Sequence, residues 1–248
     1  MKILVVGDSC TDKFIYGDVN RICPEAPVPI FNPIDQTENP GMAANVAENV
    51  KSLGIDVDLV CNWNLITKTR YVDIKSNQML LRVDDGDAAE PITYINKYTI
   101  EFLNQYDAII ISDYNKGFIS EYDIKKISSN HHLVFMDTKK LLGDWASECT
   151  FIKLIEHEYN KNKQFIDNNL DTFNNKIIIT LGEEGCKYKN KVYPVEKLIE
   201  VKDVSGAGDT FISAFVSKYL KSKNIKESIE FAQKCSSFVV SKKGVVTV

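Results

Sequence analysis

The sequence has little histidine and no closely spaced cysteines, which excludes the common zinc and redox motifs. It contains only three histidines, at positions 131, 132 and 157, and this spacing does not suit a zinc triad. No two of its six cysteines have the C-x-x-C spacing. Scattered cysteines in a chain of 248 residues are typical of reduced, semi-buried thiols rather than of a disulfide framework.

Long apolar runs and a strong net charge are absent as well. No apolar stretch approaches the about 20 residues that a membrane-spanning helix needs. The N-terminal run, residues 3–6, is shorter than the core of a signal peptide, so we expect a cytoplasmic protein that does not contact a membrane. The formal net charge is −4, with 30 basic and 34 acidic residues, and this balance predicts no nucleic-acid surface.

What the sequence does contain is an alternation of short apolar runs and helical patterns. Five runs have the length and composition of buried parallel strands: residues 3–6, 57–60, 108–112, 133–137 and 177–180. Helical spacing of apolar residues occurs at 43–53, 95–103, 211–220 and 225–239. Strands that alternate with helices predict a three-layer α/β/α fold with a mostly parallel central sheet. We expect a single domain over residues 1–248.

Two segments break this alternation and predict a small β-appendage. Residues 13–34 carry four prolines and no helical pattern, and residues 69–84 resemble a hairpin that turns around residues 75–77. We expect these two segments to form a β-lid beside the main sheet. Because an exposed strand edge can pair with a second copy of the chain, the lid also predicts a homodimer.

The segment KDVSGAGDTF, residues 202–211, is the most informative short stretch. Gly206, Ala207 and Gly208 let a ligand approach the backbone closely, and the N–H groups at the start of the following helix form an anion site. Asp209 places a carboxylate beside this site, as a general base needs in order to deprotonate a hydroxyl that attacks a phosphoryl group. Taken alone, the segment favours a simpler interpretation, a glycine turn and a helix that Asp209 caps.

The segment is neither of the two common nucleotide-binding motifs. No G-x-x-x-x-G-K-S/T run occurs in the sequence. A G-x-G-x-x-G fingerprint that starts at Gly206 would need a glycine where Phe211 stands. A nucleotide bound here would therefore use another kind of site.

Three further short motifs lie next to predicted elements. Asp8 and Asp12 follow the first strand, and Asp12 suits sugar hydroxyls, although a solvated turn explains both residues equally well. Asn45 follows a Pro-Gly pair in the first turn of a helix, where it suits a polyol or merely lies near the helix cap. Thr180 ends a predicted strand and Gly182 follows it, and both suit either nucleotide phosphates or an ordinary β-turn.

The order of these motifs resembles that of the ribokinase-like (PfkB-type) carbohydrate kinases. The chain has GDxxxD after a strand, then PGxAANVA, TLGxxG and finally DVSGAGD before a helix. The segments RICPEAPVPIF, PGMAANVAENVKSLG, SNQMLLRVD and ISDYNKG are similar to the kinase domain of the bacterial D-glycero-D-manno-heptose-7-phosphate kinases. The resemblance runs, with gaps, from Met1 to Val248. It implies a ribokinase-like fold and an enzyme that transfers a phosphoryl group from ATP to a sugar hydroxyl.

The resemblance also implies roles for individual residues. Asp209 would be the catalytic base, and the N–H groups of Gly206, Ala207 and Gly208 would form the anion hole for the transferring phosphate. The other implied roles are binding roles: Asp12, Gly41 and Asn45 for the sugar, Thr180, Gly182, Gly185 and Gln233 for ATP, Glu156 for Mg²⁺ through water, and Arg21, Arg82 and Lys116 for the distal phosphate of a sugar phosphate. For the last three residues, plain surface charge is an equal alternative.

The sequence departs from the family pattern at several positions. Met42 replaces the second glycine of P-G-G, and Lys153 replaces the asparagine of the N-x-x-E motif that ends in Glu156. A helix-containing segment of the heptose kinases is reduced here to NWNLITK, and we expect no adenylyltransferase domain of the kind that bifunctional heptose enzymes carry. Two hypotheses stay open: an active sugar or sugar-phosphate kinase, and a sugar- or nucleotide-binding protein on the same fold with weak or no catalysis.

Overall fold

The computed structural model describes residues 1–92, 99–196 and 199–248, so the start of the helical pattern at 95–103 lies outside the described residues. The strands are β1 (Lys2–Gly7), β2 (Ser9–Ile22), β3 (Pro29–Met42), β4 (Asp56–Cys61), β5 (Thr67–Asp73), β6 (Met79–Asp85), β7 (Ala108–Asp113), β8 (Val134–Thr138), β9 (Phe151–Ile155), β10 (Ile177–Thr180), β11 (Cys186–Tyr188) and β12 (Lys191–Tyr193). The helices are α1 (Ala43–Ser52), α2 (Ile100–Leu103), α3 (Glu121–Asn130), α4 (Glu156–Asn168), α5 (Leu170–Phe173), α6 (Ala207–Ser222) and α7 (Ile225–Val240).

The main sheet has eight strands in the order β12-β11-β10-β9-β8-β7-β1-β4. The strands from β10 to β4 in this order run parallel, and β11 and β12 add an antiparallel edge. Ile3 and Val5 of β1 pack into one apolar cluster, and Leu4 and Val6 pack into another. Burial on both faces explains why these strands are near-continuous apolar runs.

Helices cover both faces of this sheet. On one face α1, α6 and α7 pack against the strands, and the ring of Phe215 lies 5.9 Å from that of Phe135 and 5.5 Å from that of Phe151, measured between centroids. Helices α2 to α5 cover the other face through apolar residues such as Ile124 and Ile166. The predicted three-layer α/β/α fold with a mostly parallel sheet is confirmed. Within the described ranges, every helix is too short or too polar to span a membrane.

Each of the five predicted strands is present, but β9 was not predicted. Its run, FIKLI, is interrupted by Lys153, a charged residue that the apolar pattern does not anticipate in a buried strand. The Lys153 ammonium is accommodated because Asp137, at the end of the neighbouring strand β8, accepts a hydrogen bond from it at 2.7 Å. The polar helices α3 and α4 were missed for a similar reason, since few apolar residues mark their buried faces.

The second sheet has four strands in the order β3-β2-β5-β6. Strands β2 and β3 form a long antiparallel hairpin, and β5 and β6 form the hairpin predicted within residues 69–84. Between the two hairpins, β2 and β5 pair in parallel, with Asp12 beside Lys68 and Phe14 beside Arg70. Register neighbours point to the same face of a sheet, so these four side chains share one face, and it is largely buried.

Candidate active site

The candidate site lies at the N-terminus of α6, where it meets the carboxyl ends of the parallel strands. Gly206 precedes the helix with φ 78°, a left-handed conformation that glycine adopts without steric cost. Having no side chain, Gly206 cannot cap the N–H groups of the first turn. The Ala207 N–H donates to the Val204 carbonyl at 3.3 Å, whereas no described residue accepts a hydrogen bond from the Gly208 N–H. The start of α6 thus keeps donor capacity for an anion.

Asp209, in the first turn of α6, is held by two donors from distant parts of the chain. Its Oδ1 accepts a hydrogen bond from Tyr114 Oη at 2.7 Å, and its Oδ2 accepts one from Asn45 Nδ2 at 2.9 Å. Burial raises the pKa of Asp209 to about 6, although both hydrogen bonds lower it. The simpler interpretation of Asp209 as a helix cap is wrong, because its carboxylate binds side chains of other elements.

Asp8, directly after β1, holds the loop that carries Tyr114. The fully buried Asp8 carboxylate accepts hydrogen bonds from the backbone N–H groups of Tyr114, Lys116 and Phe118 at 2.7, 3.2 and 3.1 Å. Burial raises the pKa of Asp8, and these backbone donors oppose that rise. Asp8 is therefore not part of a solvated turn. In the sequence, the segment ISDYNKG was singled out only for its similarity to the heptose kinases, and the contact of Tyr114 with Asp209 was not predicted.

Asp12, expected to bind sugar, is paired in this structure with a residue that sequence reasoning did not single out. Arg70 Nη1 donates to Asp12 Oδ1 at 2.5 Å, and both side chains are largely buried. Gly41 lies against the same carboxylate, since a Cβ on Gly41 would come within 2.3 Å of Asp12 Oδ2. The structure thus brings two of the predicted sugar residues into contact and adds Arg70 to them.

Asn45 links α1 to α6 and uses both ends of its side-chain amide within the protein. Its Nδ2 donates to Asp209, and its Oδ1 accepts from Asn49 Nδ2 at 3.0 Å. Met42, where the family pattern has glycine, precedes α1 with φ 57° and ψ −130°, a backbone region that side-chain-bearing residues rarely adopt. The Met42 side chain is buried in the same apolar cluster as Cys10.

A cavity of about 710 Å³ adjoins the start of α6. It gathers most of the residues predicted for nucleotide, metal and phosphate: Glu156, Thr180, Gly182, Gly185, Ala207, Gly208 and Gln233. Leu181, Val201 and Phe211 supply apolar surface to the same cavity. Gln233 also donates from Nε2 to the Tyr193 carbonyl at 2.6 Å. The cavity therefore combines an apolar wall with the N-terminal end of α6, where the Gly208 N–H is available to a ligand.

Lys153, where the family pattern has asparagine, is buried beside the start of α6. Lys153 and its partner Asp137 are each only 4% exposed. A Cβ on Gly208 would lie 2.9 Å from Lys153 Nζ. The ammonium group is thus close to the positive end of the α6 dipole, and Asp137 is the counter-charge that stabilises it there.

The three basic residues predicted for a distal phosphate differ in their surroundings: Arg82 and Lys116 both lie near Lys68, and no such contact is seen for Arg21 among the described residues. Arg21 is exposed near the end of β2. Arg82 donates to Asp84 at 2.5 Å, and Lys116 forms an ion pair with Asp87. Two of the three guanidinium or ammonium groups therefore already hold a carboxylate.

Lys68 in β5 is a buried cation without such a partner. It is 7% exposed, and no carboxylate within residues 1–92, 99–196 and 199–248 lies at ion-pair distance from its ammonium group. Its Nζ lies 5.3 Å from the centroid of the Tyr114 ring. Burial lowers the pKa of Lys68, and the positive charges of Arg82 and Lys116 lower it further, whereas Cys10 and Asp12 oppose this shift. Sequence reasoning missed Lys68 because it is one lysine among many.

Solved structures identify the fold. A ribokinase from Thermotoga maritima matches with a TM-score of 0.74 over 98% of this chain and 94% of its own, at 20% identity. A ribokinase from Arabidopsis thaliana, solved with ribose and ATP, matches with a TM-score of 0.70 over 98% of this chain and 93% of its own, at 13% identity. The predicted ribokinase-like fold is thereby confirmed.

The sequence identifies the family within that fold. The pattern of the pfkB family carbohydrate kinases matches residues 124–248, and this chain belongs to that family. The bifunctional protein HldE of Helicobacter acinonychis is 31% identical over 296 aligned residues, which cover 98% of this chain and 63% of that protein. The chain thus spans about 63% of the length of this curated relative.

The Lys153–Asp137 pair makes a prediction about stability. We expect Lys153→Met to lower the free energy of unfolding by about 3–5 kcal/mol, because it leaves a buried carboxylate without its partner. Urea denaturation followed by circular dichroism measures this loss. The double variant Lys153→Met/Asp137→Asn removes both charges and should lose less than the single variant. If the loss of unfolding free energy in the double variant equals the sum of the losses in Lys153→Met and in Asp137→Asn, the two side chains do not interact.

Proposed function

We propose that this chain transfers the γ-phosphoryl group of ATP to a hydroxyl of a phosphorylated sugar, such as D-glycero-D-manno-heptose 7-phosphate. The observation that carries this proposal is the position of Asp209. It is a buried carboxylate with a raised pKa at the uncapped end of α6, in contact with Asn45 and next to the cavity that Gly208 lines. Family membership supports the reaction class, and the similarity to HldE supports the heptose.

In this mechanism Asp209 is the base. Its carboxylate takes the proton of the sugar hydroxyl while the hydroxyl oxygen forms a bond to the γ-phosphorus and the bond to the leaving ADP oxygen breaks. With a pKa of about 6, Asp209 is mostly ionised at neutral pH and remains basic enough to accept the proton. The backbone at Gly206, Ala207 and Gly208 and the positive end of the helix dipole stabilise charge on the transferring group.

The 710 Å³ cavity is the proposed ATP site, with Thr180, Gly182, Gly185 and Gln233 in its lining. The ATP bound to the ribokinase of Arabidopsis thaliana supports this choice of donor. We propose that Mg²⁺ is held largely by the nucleotide phosphates, as is usual at ATP sites. Glu156, exposed in the cavity, is the carboxylate that would hold it through water. When bound, Mg²⁺ would neutralise phosphate charge.

Lys68 supports a substrate that carries its own phosphate. A buried ammonium group without a carboxylate at ion-pair distance is costly, and a bound anion lowers that cost. Arg70, Arg82 and Lys116 add positive charge around the face that carries Lys68 and Asp12. We infer that a sugar lies beside Asp12 and Gly41 and that its distal phosphate contacts Lys68.

We propose that residues 1–248 act as a single domain whose four-stranded sheet is a lid, and that two lids pair in a homodimer. Leu81 and Val83 lie beside Tyr71 and Thr69 of β5 and are 56% and 43% exposed, so they form an apolar stripe on one face of an edge strand. Such a stripe on an edge strand favours contact with a second copy.

The second candidate function is sugar or nucleotide binding without catalysis. Lys153 favours it, because an ammonium group tied to Asp137 stands where the family motif has an asparagine that helps to organise the metal. Release of ADP from Mg-ATP in the presence of heptose 7-phosphate separates the two candidates. Binding of ATP by calorimetry without ADP release would favour the second.

The role of Asp209 makes the first functional prediction. We expect Asp209→Asn to lower kcat by about 10²–10⁴-fold, because it removes the base and keeps the shape of the side chain. A coupled assay of ADP release measures the rate. Asp171→Asn, an exposed aspartate in α5, is the matched control and should behave as the wild type. Unchanged turnover in Asp209→Asn would rule out this base.

The proposed contact of Lys68 with phosphate makes a prediction about specificity. We expect Lys68→Met to lower kcat/KM for heptose 7-phosphate by roughly 10–100-fold, because a charge-assisted hydrogen bond is lost. The value for the unphosphorylated heptose should change little. Lys51→Met, an exposed lysine in α1, is the matched control. Equal losses for the two sugars would contradict a role for Lys68 in holding phosphate.

The apolar stripe of β6 makes a prediction about assembly. We expect size-exclusion chromatography with light scattering to give about twice the chain mass of 28.1 kDa. Leu81→Glu should shift the protein to the monomer, because it places a charge in the proposed contact. Leu141→Glu changes another exposed leucine and should leave the mass unchanged. A monomeric wild type at micromolar concentration would refute the dimer.

A further inference from the structure

We propose that Tyr114 is a positioning residue, which holds the Asp209 carboxylate in the orientation that accepts the proton and stabilises its ionised form. The inference rests on the proposed kinase function and extends it to a residue outside the glycine-rich segment. It is carried by a hydrogen bond, by the anchoring of the Tyr114 backbone and by two cations over the Tyr114 ring.

The hydrogen bond has a defined direction. Tyr114 Oη lies 2.7 Å from Asp209 Oδ1. Burial, followed by the negative charges of Asp209 and Asp137, raises the pKa of Tyr114 well above its ordinary value. The phenol therefore keeps its proton and is the donor, and Asp209 is the acceptor. A donor of this kind favours the charged form of a carboxylate.

The Tyr114 backbone is fixed independently of Asp209. The Tyr114 N–H donates to the buried Asp8 carboxylate, and that carboxylate also holds the N–H groups of Lys116 and Phe118. Asn115 between them has φ 56°, so the loop turns sharply just after Tyr114. The main chain that carries the phenol is therefore tied directly to the end of β1.

The ring of Tyr114 is fixed as well. Lys68 Nζ and Lys139 Nζ lie over it, 5.3 and 5.4 Å from its centroid. Attraction between an ammonium group and the face of an aromatic ring orients both. Lys139 is itself held by an ion pair with Glu158. Because its backbone and ring are both fixed, Tyr114 loses little further side-chain entropy when its hydroxyl donates to Asp209.

Several other charged or titratable groups face Asp209, and they also affect its pKa. They come from β2, β8, the segment after β8 and β9: Cys10, Asp137, Lys139 and Lys153. Burial is the main cause of the raised pKa of Asp209, Asp137 adds to it, and Tyr114, Asn45 and Lys153 oppose it. Loss of the Tyr114 hydroxyl should therefore raise the pKa of Asp209 further above about 6.

The test is Tyr114→Phe, which removes the hydroxyl and keeps the ring between its neighbours. We expect the acid limb of kcat/KM against pH to move up by on the order of one pH unit, because a hydrogen bond to a charged group is lost. The loss of rate should be largest at acidic pH and should shrink above the shifted limb. A uniform loss at every pH would indicate a purely structural role and would overturn the proposal. Tyr122→Phe, on the exposed face of α3, is the matched control and should keep the wild-type profile.

A second measurement does not depend on turnover. Carbon-13 NMR of protein labelled at the aspartate carboxyl carbons follows the titration of Asp209 directly, with Asp209→Asn to assign its signal. We expect a higher midpoint in Tyr114→Phe than in the wild type, and equal midpoints would overturn the proposal. If the wild type releases no ADP while the midpoint still shifts, the kinase function is refuted and the effect of Tyr114 on Asp209 stands.

Discussion

The Asp209 carboxylate, with its hydrogen bonds to Tyr114 and Asn45, joins three elements that are far apart in the chain. The bond to Tyr114 spans 95 residues and the bond to Asn45 spans 164. A buried carboxylate is unfavourable unless donors surround it, so α1, the loop after β7 and the start of α6 must meet at this point. The same requirement fixes where the uncapped N–H groups of α6 lie relative to the second sheet.

The charged groups around Asp209 differ in whether they have an ion-pair or hydrogen-bond partner. Asp8 is held by backbone donors, Asp12 by Arg70 and Asp137 Oδ2 by Lys153, whereas the buried Asp137 Oδ1 has no hydrogen-bond partner among the described residues. Lys68 is buried near Arg82, Lys116 and Asp12, and no carboxylate among the described residues lies at ion-pair distance from it. A protein tolerates a buried charge of this kind where a ligand of opposite charge binds, so Lys68 supports an anionic substrate.

Local patterns in the sequence predicted the layers of the fold and the order of its motifs, but they did not predict the contacts between the motifs. The strands around β1 are apolar on both faces, and that property is visible in a run of four residues such as 3–6. Tyr114, Arg70 and Lys68 act through partners that are adjacent only in the folded chain, so no spacing rule marks them. Strand β9 was not predicted because Lys153 interrupts its apolar run. The partner that allows this lysine to be buried, Asp137, lies on the neighbouring strand β8 and is not marked by any local pattern.

The two departures from the family pattern have separate physical consequences. Met42 takes a backbone conformation that favours glycine, and burial of its side chain in the core offsets the strain. Lys153 adds a positive charge beside Gly208, but Asp137 accepts a hydrogen bond from it and limits its effect on the helix terminus. Neither change removes the carboxylate of Asp209 or the free Gly208 N–H, which are the groups on which the proposed phosphoryl transfer depends. The departures therefore bear on how the metal and the sugar are held, and they leave the proposed proton transfer to Asp209 intact.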